Sequence, residues 1–136
     1  MGNSKYIEII ARAVIVHRGK ILLCKKKKAN YYFLPGGHVE FGESTSIALA
    51  REIREELGVR SKNIKFLTLM ENIFRYRKGV AHEINFIYRV SLKDNNVRAM
   101  ENHLQFSWIP LKELCKHKVL PKVIEKELNA LTKGTK

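Results

Sequence analysis

Three glutamates, Glu52, Glu55 and Glu56, stand at i, i+3 and i+4 within residues 44–57, a stretch that reads as a helix. At 100° per residue their side chains share one patch, inside an arc of about 100°. Like charges so placed repel one another. Arg51 and Arg54 relieve part of that repulsion, and a hard divalent cation relieves more. Mg²⁺ takes carboxylate oxygens, keeps several waters and bridges to phosphates, so the pattern points to metal-assisted phosphate chemistry. A solvated charged face is the plain alternative, and helix composition alone favours it.

The surrounding segment decides between the two. Residues 37–59 read GHVEFGESTSIALAREIREELGV and fit G-x5-E-x7-R-E-U-x-E-E-x-G-U, with U apolar, at every defined position. The matching residues are Gly37, Glu43, Arg51, Glu52, Ile53, Glu55, Glu56, Gly58 and Val59. That pattern is the Nudix box, and the chain resembles the Nudix hydrolases, the MutT-like family. The resemblance implies an α/β/α sandwich around a central mixed β-sheet. It also implies a Mg²⁺-dependent enzyme, with Mn²⁺ as the substitute ion, in which water attacks phosphorus in a nucleoside diphosphate linked to another group. Glu52, Glu55 and Glu56 are then the metal ligands, with the Gly37 carbonyl as a further one. Arg51 orients a neighbouring glutamate, and Glu43 holds the loop–helix geometry or assists the attacking water. Glu55 and Glu56 are both candidates for the general base. The family often recruits a further acidic residue from a later segment; Glu101 is the first candidate and Glu83 the second.

The box leaves the substrate open. Family subgroups are sorted by residues beyond it. A proline 15 positions on marks ADP-ribose enzymes, and this chain has Phe74 there. A tyrosine 16–18 positions on goes with dinucleoside polyphosphate enzymes, and Tyr76 lies 17 after Val59. Tyr31, Tyr32, Phe33 and Phe74 are candidates to stack a base, with core packing as the alternative for each. Lys26, in the run Lys25-Lys26-Lys27-Lys28, is a candidate phosphate contact; a solvated turn also accounts for such a run.

The elements that must position these groups are legible from period and punctuation. Residues 5–17 are β-branched and predict one strand or two short ones; residues 18–20 turn, and 21–24 return. Residues 31–34 are short and apolar, and Pro35-Gly36-Gly37 predicts a break. Ser44 or Thr45 caps the helix and Gly58 ends it. Its core face is expected to be Ile47, Ala50, Ile53 and Leu57, with the glutamates opposite. Residues 64–76 and 82–92 predict a long hairpin turning at 77–79, and 105–109 a further strand. Residues 111–115 and 121–131 read as helical, with Pro121 in a first turn.

Composition frames the rest. A length of 136 residues suits one domain, 1–136. No segment is long and uncharged enough for a membrane span, and no address signal is evident, so a cytoplasmic protein is expected. Cys24 and Cys115 lie far apart and read as reduced thiols. The net charge of +13 draws polyanions: nucleotides above all, RNA as a second partner. The leading function is hydrolysis of dinucleoside polyphosphates, nucleoside triphosphates or sugar nucleotides. An RNA 5′-end pyrophosphohydrolase is the alternative, and a catalytically silent nucleotide- or RNA-binding module the third; a silent module need not keep every box carboxylate, and this chain keeps them all. A homodimer is compatible with the family, though no patch for it is identifiable from sequence.

Overall fold

The computed structural model describes residues 5–134. Strands β1 (Glu8–Val14) and β3 (Lys20–Lys26) are near-continuous apolar runs because both faces of each are buried. Side chains alternate between two cores, as the pleat requires. Ala11, Ala13 and Leu22 enter one core, whereas Val14, Ile21 and Leu23 enter the other. Between them the short β2 (Val16–His17) turns through Arg18 and Gly19, both at positive φ.

Two sheets result. One has the order β4-β1-β6-β5, formed by β4 (Gly36–His38), β1, β6 (Gly79–Leu92) and β5 (Ser61–Tyr76). Its β1–β6 pairing is parallel and the others antiparallel, so the sheet is mixed. The other is antiparallel, β2-β3-β7, with β7 at Leu104–Pro110. Helix α1 (Thr45–Leu57) covers the first core with Leu49, Ile53 and Leu57. A 3-10 helix (Leu111–Lys116) and α2 (Val123–Gly134) cover the second with Leu111, Leu114, Ile124 and Leu128. This is the expected α/β/α sandwich. Among the described residues no helix is long and apolar enough to cross a membrane.

Three details depart from the sequence reading. Residues 36–38 form a strand where a break was predicted. Gly36, at φ 141°, lets β4 lie so close to β1 that a Cβ there would stand 2.0 Å from the Ala11 carbonyl oxygen. Helix α2 begins at Val123, because Pro121 and Lys122 supply carbonyls to a preceding tight turn, accepting from Ile124 and Glu125 at 3.0 and 3.1 Å. The third is the rotation of α1. Ile47 is 63% exposed, while Ala48, Leu49, Ile53 and Leu57 are buried. The helix packs on β1, β5 and the edge strand β4 of the same sheet, so the arc between Ala48 and Leu49 turns inward. Glu52 and Glu56 lie in that arc rather than opposite the core.

The close approach of β4 to β1 sets the floor of the site, and it predicts a stability contrast. Gly36→Ala should cost roughly 3 kcal/mol or more, from backbone strain and collision. Gly19→Ala meets open space and should cost about 1 kcal/mol, for its positive φ alone. Chemical unfolding of the two variants measures this; equal losses would contradict the packing described.

Candidate active site

Helix α1 is built to hold its last two turns still. Ser44 caps it, its hydroxyl accepting from the Ile47 N–H at 3.3 Å, and Gly58 closes it at φ 69°. The final carbonyls are taken up by the loop before β7. The Arg98 and Met100 N–H groups donate to the Leu57 and Glu56 carbonyls at 3.2 and 2.9 Å. That docking carries Glu101 beside the helix.

The glycines of β4 make room for the carboxylates. A Cβ at Gly37 would lie 2.3 Å from Glu52 Oε2, so only a glycine admits Glu52 at that spot. The Gly36 N–H donates to Glu56 Oε1 at 3.4 Å. Arg51 organises the outer side. It donates from Nε to Glu43 Oε2 at 2.7 Å and from Nη2 to Glu43 Oε1 at 2.9 Å, a two-pronged bond. Nη2 also donates to the His38 carbonyl at 3.2 Å, and Nη1 reaches Glu55 at 3.3 Å and Glu52 at 3.5 Å. Glu43 further accepts from the Glu40 N–H at 3.1 Å. Arg51 thus ties the loop to the helix and pairs with three glutamates, but not with Glu56.

The electrostatics follow. Hydrogen bonds from Arg51 and the Glu40 backbone hold the Glu43 carboxyl down at about 2, so it stays ionised. Burial pushes Glu56 up to about 8, and the charges of Glu52 and Glu101 push the same way; the Gly36 N–H and Arg12 oppose them. Burial also raises Glu52, with Arg51 opposing and Glu55 and Glu101 adding. Among the described residues no three acidic, His or Cys side chains stand assembled as a metal cage. What stands assembled is the Glu52–Glu56 pair, with Glu101 close by and 3.6 Å from His103 Nε2. Glu55 lies at the rim, 52% exposed. The donor set is oxygen only, partly dehydrated and mutually repelling, which suits a hard divalent cation.

A cleft of about 650 Å³ has Arg12 in its lining, which feels the charges of Glu52 and Glu56, but none of Glu52, Glu55, Glu56 or Glu101 lines it. Tyr31, Phe33 and Phe74 line it together with Lys26, Lys122, Asn72 and Glu83. Tyr32 is not part of that lining. Alternation along the chain turns Tyr31 and Phe33 to the cleft and Tyr32 to the second core, edge-on to His117 at 5.5 Å. Tyr76 is also outside the lining; its ring lies 6.3 Å from that of Phe74 at the strand tip. Glu83 faces the cleft with Asn72 rather than joining the carboxylate pair.

Arg12 escaped the sequence reading. It is the one charge in the apolar run 9–16, on a strand buried on both faces, and that anomaly was the available signal. Its Nη1 donates to the Leu34 carbonyl at 3.0 Å, its guanidinium lies 5.7 Å from the Phe33 ring centre, and its Nε has no protein partner. Burial lowers its pKa, while Glu83, Glu56 and Glu52 stabilise its charge. It therefore bridges cleft and carboxylates. Cys24 lies beneath, pushed up to about 12 by burial, and is inert as a nucleophile.

A raised carboxyl binds its proton more tightly in the folded chain. Metal-free stability should therefore be full below the unfolded value near 4.5 and fall as pH rises towards about 8. Glu56→Gln removes that proton linkage. In chelator, the variant should match the parent near pH 5 and melt higher than it near pH 8.5; a parallel pair of melting curves would contradict the burial of this carboxylate.

Comparison with known proteins bears on what this site is. The NUDIX domain model matches residues 8–130. The chain is 30% identical to the CTP pyrophosphohydrolase of Escherichia coli (strain K12) over 86% of its own length and 85% of the relative's. It is 27% identical to the RNA pyrophosphohydrolase of Ruthia magnifica subsp. Calyptogena magnifica, over 70% of its own length and 65% of that protein's. Among solved structures, the MutT NUDIX hydrolase of Burkholderia pseudomallei superposes with a TM-score of 0.78 at 27% identity, covering 92% of this chain and 98% of that one. The carboxylate helix, its glycine floor and these likenesses agree: this chain belongs to the NUDIX hydrolase family.

Proposed function

We propose that the chain is a Mg²⁺-dependent pyrophosphohydrolase that cleaves a phosphoanhydride bond in a nucleoside triphosphate or a related nucleoside diphosphate derivative. The observation that carries this reading is the half-buried Glu52–Glu56 pair, linked through Arg12 to a cleft lined by aromatic rings and lysines. The rings suit a nucleobase, and the lysines suit phosphates. Likeness to the CTP pyrophosphohydrolase supports a nucleoside triphosphate.

Glu52, Glu56 and Glu101 are the residues assigned to hold Mg²⁺ or Mn²⁺, with the Gly37 carbonyl and Glu55 at the margin. When bound, such an ion neutralises phosphate charge, acidifies a water and stabilises the leaving oxygen. The protein's own groups do the rest. Phe33 and Phe74 hold the base by stacking, and Lys26 with Arg12 draws the phosphates towards the carboxylates. Arg51, anchored on Glu43, fixes the Glu55 carboxylate. Being exposed and oriented, Glu55 suits acceptance of the attacking water's proton, whereas dehydrated Glu56 suits a cation. Removal of water from the inner wall strengthens each of these contacts.

RNA bearing a 5′-triphosphate is the second reading. The net charge of +13, two lysines in the cleft and likeness to an RNA pyrophosphohydrolase favour it.

A panel of nucleoside triphosphates, dinucleoside polyphosphates, sugar nucleotides and triphosphorylated RNA, with Mg²⁺ and product analysis, separates these. Turnover is expected on at least one free nucleoside triphosphate. Glu55→Gln and Glu56→Gln should each lower kcat by at least about a hundredfold while the fold persists. Phe74→Ala should raise KM roughly tenfold, the loss expected of one stacked base. If RNA is the better substrate, its KM should climb steeply with salt. No turnover of any compound by folded protein would overturn the assignment.

A further inference from the structure

The cleft carries polar groups that the proposed chemistry leaves unused. Asn72 on β5 and Glu83 on β6 are register partners, so both side chains leave the same face of the sheet, and both line the cleft with Phe74. Asn85, two residues along β6, shares that face. Asn72 and Asn85 each donate from Nδ2 to Glu83 Oε1, at 3.5 Å. Both bonds are long, and both fall on one oxygen. A carboxylate has about four acceptor positions, so Oε2 has capacity left for a ligand. Asn72 turns its donors towards Glu83 and therefore offers its own Oδ1 as an acceptor; a flipped amide would set oxygen against oxygen. Asn85 is 1% exposed, and its Oδ1 has no partner among the described residues. This wall is thus rich in acceptors and short of N–H groups. The cations of the cleft, Arg12, Lys26 and Lys122, suit phosphates rather than a base.

We propose that Glu83, held by Asn72 and Asn85, determines base specificity in this cleft, and that it selects nucleotides whose base presents an exocyclic amino group, cytosine or adenine, over the keto bases uracil and hypoxanthine. The selection rests on the reading given above, in which a base stacks on Phe33 and Phe74. The edge of such a base meets the Asn72–Glu83 wall. An amino group there donates to Glu83 Oε2 and Asn72 Oδ1. A carbonyl oxygen in the same place faces two acceptors and bonds to neither. Asn72 and Glu83 are both half-buried, so water does not fully compensate that loss. A role for Glu83 in holding a metal would act on every nucleotide alike; base selection acts on the ratio between them.

Equilibrium dialysis of the full chain with CTP, UTP, ATP and inosine triphosphate in chelator reads base preference without hydrolysis. Measurement of kcat/KM with Mg²⁺ reads it in turnover. CTP should bind at least about tenfold more tightly than UTP, and ATP than inosine triphosphate. Glu83→Gln keeps an acceptor for the two asparagines and sets an N–H2 group where an oxygen accepted. It should bring both ratios to about one or below, with the fold retained. Equal affinities within each pair for the parent, or no measurable binding at millimolar nucleotide, would overturn the proposal. So would Glu83→Gln with the parent's ratios, or with kcat lowered equally for every nucleotide. An amino preference in binding, with no turnover of any nucleotide, would uphold the base selection and overturn the hydrolase reading instead.

Discussion

The structure depends on two carboxyl groups being held together where water is scarce. Glu52 and Glu56 point inward from α1 onto the glycines of β4; burial makes both harder to ionise, and the charge of Glu52 adds to the effect on Glu56. Left alone, such a pair costs stability. It persists because the surrounding chain fixes both ends of the problem. Capped helix termini hold the carboxylates in place, and backbone packing removes any side chain that would separate them. The Cα surface of Gly37 and the N–H of Gly36 do what a larger residue could not. The cost is concentrated where a divalent cation and a polyphosphate would offset it.

Around that pair the cations are divided by task. Arg51 is committed to Glu43, which holds the loop against the helix and leaves little of its charge for Glu56. Arg12 is buried on the far side, between the carboxylates and the aromatic cleft, with one donor unused. Lys26 and Lys122 stand at the outer wall. Positive charge thus surrounds the place where phosphates are proposed to lie, without filling the site between the glutamates. The net charge of +13 is the long-range counterpart of the same arrangement.

Much of this was legible in the chain. The box spacing picked out Glu43, Arg51, Glu52, Glu55 and Glu56; Arg51 pairs with the first three of these glutamates, and Glu56 feels the group through the charge of Glu52. Hairpins, helix caps and the mixed sheet followed from period and punctuation. The misses have physical causes. The helix was rotated wrongly because hydropathy alone sends Ile47 inward and glutamates outward, whereas the site requires the reverse. Tyr32 and Phe33 are neighbours in sequence but face opposite ways, Phe33 to the cleft and Tyr32 to the second core, a distinction that composition does not carry without the strand register. Arg12 looked like an interruption of an apolar run; its meaning depends on Glu83, Glu56 and Glu52, brought to it from β6 and α1.

Under the proposed function, the Glu52–Glu56 pair takes a divalent cation in exchange for a proton. Calorimetric titration with Mn²⁺ at pH 7, repeated in buffers of different ionisation enthalpy, measures that exchange directly. The account predicts binding with release of on the order of one proton per chain, and both signals lost in Glu56→Gln. Binding with no proton release, or binding unchanged by that substitution, would contradict it.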